Sequence, residues 1–97
     1  MLRTLAFAIL IGLASPALAQ YAPDIMAAMQ AATDRFAGQI VGAELVEGRI
    51  GEQAENVFEF RMLTANGDIL RIRVDAANLD ILEVDGHGLV AARRTPQ

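Results

Sequence analysis

Phe58, Phe60 and Met62 alternate with Val57, Glu59, Arg61 and Leu63, and after a polar gap Leu70, Ile72 and Val74 alternate with Arg71, Arg73 and Asp75. Alternation at period two is the mark of strands with one face buried and one in water. The gap, Thr64-Ala65-Asn66-Gly67-Asp68, is a turn signal. A two-residue Asn-Gly loop would set Arg61 opposite Ile72 and mix the faces. A three-residue loop, Ala65-Asn66-Gly67, pairs Met62 with Leu70, Phe60 with Ile72 and Phe58 with Val74, so the apolar side chains share one face. A slip of one residue would turn a whole strand over, which makes the three-residue loop the expected one. It requires a type I turn with Gly67 left-handed, a conformation that a missing Cβ makes accessible.

Ile81 to Asp85 reads as a further strand. Pairing Val74 with Leu82 and Ile72 with Val84 leaves Ala76 to Asp80 as its loop. This register aligns Glu59, Arg73 and Glu83 across three strands on the outer face. It also sets Arg61 beside Arg71, with Asp85 on the far side of Arg71. Opposite charges facing each other across strands contribute about 0.2–1 kcal/mol each, and the Arg61–Arg71 contact costs a similar amount.

Upstream the period changes. Ile25, Met29, Ala32 and Phe36 recur at helical spacing, with Met26 and Ala28 at the edge of the stripe and Gln30, Thr33, Asp34 and Arg35 opposite. Asp24 is expected to cap this helix and Gly38 to end it. Gln39 to Glu47 reads as a first strand in which Gly42 marks a bulge or a close approach. Gly48 to Glu55 is expected to be a mobile polar connection, and Leu89 to Arg94 a short helical turn. A helix this short cannot bury its stripe alone. The expected fold is α+β: one N-terminal amphipathic helix packed on a four-stranded antiparallel sheet, in two layers.

The start of the chain changes the picture of what matures. Met1-Leu2-Arg3-Thr4 is basic, Leu5 to Ala14 apolar, and Ser15 to Ala19 ends in Ala-Leu-Ala, the layout of a secretory signal peptide cleaved after Ala19. The apolar run is too short to span roughly 30 Å of hydrocarbon. Residues 1–19 are therefore expected to be removed, leaving 20–97 as a single secreted domain that is not embedded in a membrane. That domain has seven arginines, no lysine and twelve acidic residues. An acidic surface disfavours nucleic acid, whose binding rests on neutralising phosphates. There is no cysteine, hence no disulfide.

Candidate chemistry is sparse. His87, the single histidine, lies between two glycines with Asp85 nearby. A metal site wants three or four converging ligands, so the plain reading is a turn residue. Glu59, Glu83 and Asp85 could be imagined as an acid–base pair, yet each faces an arginine, which favours a structural charge ladder. After Ala19 the hydroxyls are Tyr21, Thr33, Thr64 and Thr95, so no serine nucleophile exists. Met26, Met29 and Met62 follow helical and strand spacing and read as core filling rather than a soft-metal surface. No catalytic residue, metal ligand or cofactor site is assigned. The outer sheet face, Glu59, Arg61, Arg71, Arg73, Glu83 and Asp85, is the candidate surface for a partner, and an exposed edge strand is another.

The stretch from Val57-Phe58-Glu59-Phe60 through Asn66-Gly67-Asp68 and Val74-Asp75-Ala76 to Ile81-Leu82-Glu83-Val84 resembles the PepSY domain family, named for peptidase propeptides. The family commonly reads Val-Asp-Ala-x-Thr-Gly before its last strand, and Asn78-Leu79 stands here where Thr-Gly is usual. The resemblance covers nearly all of residues 20–97, and its motifs are those of hairpins. It implies a non-catalytic module of the kind found in small secreted, periplasmic proteins of Gram-negative bacteria, one that inhibits or modulates a peptidase or another envelope protein. The alternative is a small ligand- or metal-sensing accessory of an envelope signalling system.

Overall fold

A computed structural model describes residues 22–95. The expected signal segment, 1–19, lies outside the described residues. The order of elements is α1 (Ala22–Arg35), β1 (Gln39–Glu47), β2 (Asn56–Leu63), β3 (Ile69–Asp75), β4 (Ile81–Asp85) and α2 (Leu89–Ala92). The strands form one antiparallel sheet in the order β1-β2-β3-β4, so sequence neighbours are spatial neighbours throughout and β1 and β4 are its edges. The fold is α+β.

The β2–β3 hairpin has the expected register, with Phe58 opposite Val74, Phe60 opposite Ile72 and Met62 opposite Leu70. Its turn is closed by the Thr64 N–H donating to the Asp68 carbonyl at 2.8 Å, and Gly67 has φ 87°. The Thr64 hydroxyl oxygen also accepts from the Asp68 N–H at 3.1 Å, which ties the turn a second time.

The β3–β4 hairpin departs from expectation at one end. Ile72 opposes Val84 and Arg73 opposes Glu83, but Val74 faces Ile81 rather than Leu82, because the register shifts by one after Arg73. The cause is in the turn. Asp75 N–H donates to the Asp80 carbonyl and Leu79 N–H to the Asp75 carbonyl, both at 2.8 Å, so the loop is one residue tighter than Ala76 to Asp80. The Asp75 carboxylate accepts the Ala77 N–H at 2.8 Å, an Asx turn that only Asp, Asn or a hydroxyl residue can make. Leu79 then takes a left-handed conformation, φ 66°.

Phe58, Phe60, Met62, Leu70, Ile72 and Val74 are fully buried and form one cluster with Ala28, Ala32, Phe36, Ala76 and Ala92. Ala28 is thus at the centre of the helical stripe rather than at its edge, while Met26 is 67 % exposed. Asp24 lies in the first turn of α1 rather than before it, since the helix opens at Ala22. A carboxylate there still faces the positive end of the helix dipole. The helix stops at Arg35, short of Gly38, because Phe36 leaves it to make a β-bridge with Arg93.

Candidate functional site

The register of β2, β3 and β4 places Glu59, Arg73 and Glu83 in one row of the outer face and Arg61, Arg71 and Asp85 in the next. All six residues of the candidate surface therefore lie together. Two residues from the connection between β1 and β2 join them, and they divide the face into a covered half and an open one.

In the covered half, Arg73 is 3 % exposed although its strand parity points it away from the core. Its Nε and Nη2 donate to the two carboxylate oxygens of Glu52 at 2.7 and 2.9 Å, and its Nη1 donates to Glu59 Oε2 at 2.7 Å. Nη2 also reaches the Glu47 carbonyl at 3.4 Å. The two-pronged bond to Glu52 is the geometry that a planar guanidinium makes best. Arg49 of the same connection donates from Nη1 to Glu83 Oε1 at 2.7 Å, and its backbone N–H donates to Glu52 Oε1 at 2.6 Å. At the base, the Gly48 N–H donates to the Glu55 carbonyl at 3.0 Å. A Cβ at Gly48 would collide with the carbonyl of Ala54, so glycine is required for this closure. The connection expected to be mobile is thus anchored across the face by Arg49 and Glu52. Val57, on the outer side of β2, is fully buried opposite Asp75.

This arrangement perturbs two ionisations. The hydrogen bonds from Arg73, and next the backbone N–H of Arg49, lower Glu52 from 4.5 to about 2. Arg73 is pushed further above its ordinary value, first by its hydrogen bond to Glu52. Both shifts favour the charged forms, as expected of a paired and hydrogen-bonded salt bridge.

The open half lies toward the 64–68 turn. Arg61 and Arg71 face each other across β2 and β3, and both are exposed. Arg71 Nε is 4.0 Å from Glu59 Oε1 and in register with Asp85, whereas Arg61 makes no ion pair among the described residues. Its guanidinium lies over Gly42 of the edge strand, where a Cβ would meet it. Gly42 is at once the expected bulge and the expected close approach, for the register of β1 slips between Ile40 and Gly42. Next to the two arginines, Leu63 and Ile69 form an apolar cross-strand pair, 38 % and 48 % exposed. Val41, left over in the bulge, is exposed as well.

Arg49 and Glu52 were not singled out from the sequence. Val57 carried the available signal: an apolar residue at an outward strand position implies that something covers it. Elsewhere, His87 is exposed. No group of three or more histidine, cysteine, aspartate or glutamate side chains converges among the described residues. No helix among them is long and apolar enough to cross a membrane. No family model matches the chain, and no curated protein or solved structure matches it.

Proposed function

We propose that residues 20–97 form a PepSY-like, non-catalytic module of the periplasm that regulates another envelope protein by docking it on the open half of the outer sheet face. In this reading residues 1–19 are a cleaved signal peptide, and α1 and the sheet form two layers around one core. The clustering of Ala28, Ala32 and Phe36 with the buried residues of β2 and β3 supports the layering. One observation carries the docking reading: Leu63 and Ile69 are exposed beside Arg61 and Arg71, two like charges set directly opposite each other. An apolar pair gains by being covered, and the facing arginines gain by receiving a carboxylate. A partner surface with an apolar centre and an acidic rim satisfies both. Glu83 and Asp85 bound this patch on the β4 side, while Arg73 and Glu59 support it from the covered half. The peptidase-propeptide resemblance makes a peptidase the first partner to look for.

The test is a crosslinking pull-down from periplasmic extract with the wild type and with Arg61→Glu/Arg71→Glu. The expected result is a discrete protein captured by the wild type and lost with the charge-reversed chain, whose circular dichroism spectrum is unchanged. Equal capture by both chains would remove the outer face from the proposal.

A further inference from the structure

We propose that the cleft between the end of α1 and the segment after α2 is a second binding site, for an oxyanion of the phosphate or carboxylate class. The cleft, about 580 Å³, is lined by Arg35, Phe36, Arg93 and Arg94. It is independent of the outer sheet face, so either proposal stands or falls without the other.

The backbone explains why Arg35 and Arg94 face each other there. Phe36 and Arg93 form an antiparallel bridge, the Arg94 N–H donates to the Arg35 carbonyl at 2.8 Å, and the Ala37 N–H donates to the Ala92 carbonyl at 2.7 Å. The bridge sets Arg35 and Arg94 opposite each other, and Arg93, opposite Phe36, joins them in lining the cleft. Like charges facing across a bridge are unfavourable unless an opposite charge joins them. None of the three makes an ion pair among the described residues, and all three are exposed. Arg49, Arg71 and Arg73, by contrast, each lie within 4.0 Å of a carboxylate. In a chain of net charge −4, three uncompensated guanidiniums line this one cleft, whereas elsewhere among the described residues Arg61 alone lacks a carboxylate partner.

Stabilisation of the helix end accounts for part of the cluster. Arg94 Nε donates to the Thr33 carbonyl at 2.7 Å, and Arg35 lies in the last turn of α1, where a positive charge is favourable. That role uses one N–H of Arg94, and among the described residues the three guanidiniums make no other side-chain hydrogen bond or ion pair. Asp34, the nearest acidic residue in sequence, is engaged by Gln30 Nε2 at 2.8 Å. Planar guanidiniums grip phosphate and carboxylate alike through paired N–H donors, so the shared ligand chemistry is an oxyanion. Its source is either a free small anion or the acidic side chains of a peptide.

The site is tested by NMR titration of the protein with inorganic phosphate and, separately, with a tetraglutamate peptide, sodium chloride holding the ionic strength constant. The proposal expects saturating shifts of the Phe36, Ala37 and Arg94 amides and of the Arg35 and Arg93 Nε–H signals. It expects Arg35→Gln/Arg93→Gln, which keeps the Arg94 bond to α1, to weaken binding about tenfold or more. Saturation by phosphate alone identifies a free anion, and tighter saturation by the peptide identifies an acidic segment. Shifts no larger than those from chloride would overturn the site, as would shifts unaffected by the double substitution. If the double variant unfolds, the wild-type titration with both ligands decides alone.

Discussion

Glu52 holds Arg73 with both carboxylate oxygens and, together with the Arg49 bond to Glu83, keeps the connection between β1 and β2 on the sheet. Its carboxyl is lowered to about 2 against 4.5 in a solvated chain. A group depressed on folding stabilises the native state in full above its unfolded value and loses that contribution as pH falls toward its folded value. Glu52 therefore contributes fully above about pH 4.5, progressively less between 4.5 and 2, and nothing below. Glu52→Gln is expected to be less stable than the wild type at pH 6 by denaturant unfolding, with the gap narrowing as pH drops through that window. A gap that does not change with pH would contradict the role given to the charge. Leu79 illustrates the opposite balance. It holds a left-handed φ of 66° and packs against the core cluster. Such a conformation costs a residue with a Cβ about 1–2 kcal/mol. Leu79→Ala loses packing and keeps the strain, at about 1–2 kcal/mol. Leu79→Gly loses the same packing and sheds the strain, so it should be more stable than Leu79→Ala by about 1 kcal/mol. The reverse order in thermal unfolding would show that the turn is not strained.

At the scale of elements, the hairpins show what the residues encode locally and what they do not. The β2–β3 register follows from the two alternating runs and Gly67, because only one loop length keeps Phe58, Phe60 and Met62 on the face of Leu70, Ile72 and Val74. The β3–β4 register was legible only as far as Arg73. Its last pair depends on how Asp75 and Leu79 close the turn, and a left-handed leucine gives no signal in a pattern of hydrophobic and polar letters. The outer face was likewise half legible. Strand parity placed Glu59, Arg61, Arg71, Arg73, Glu83 and Asp85 together, since neighbouring strands are neighbours in sequence. The partners that cover Arg73 come from a polar connection with no periodicity, and the bonds they make, across 21 and 34 positions in sequence, follow no local rule. Gly48 makes that connection breakable at one point. Gly48→Ala would press a methyl group on the Ala54 carbonyl, and the backbone must shift to relieve it, at a cost of about 1–3 kcal/mol. The expected outcome is faster hydrogen exchange at the Arg49 and Glu52 amides with β2 and β3 protection retained. Loss of protection throughout the sheet would mean that the connection is integral to the core.

For the whole molecule, the sheet separates three tasks. One face builds the core, with Phe36 and Ala92 joining it from the chain on either side of the sheet. The other face is closed at one end by Arg49, Glu52 and Arg73 and open at the other around Arg61, Leu63, Ile69 and Arg71. The end of α1 gathers Arg35, Arg93 and Arg94 at the proposed oxyanion cleft. The closed end gives the open end a fixed frame, because a surface held by paired charges and a packed hairpin loses little entropy when a partner arrives. The most direct measurement is position-resolved photo-crosslinking in the cells that make the protein, with a photoreactive residue at Ile69 on the open half, at Ile50 on the connection, or at Val90 on α2. The account expects one discrete adduct from position 69, reduced by Arg61→Glu, and none of that size from positions 50 and 90. Adducts of equal yield at all three positions, or none at position 69, would contradict the claim that the open half of the outer face is where this module meets its partner.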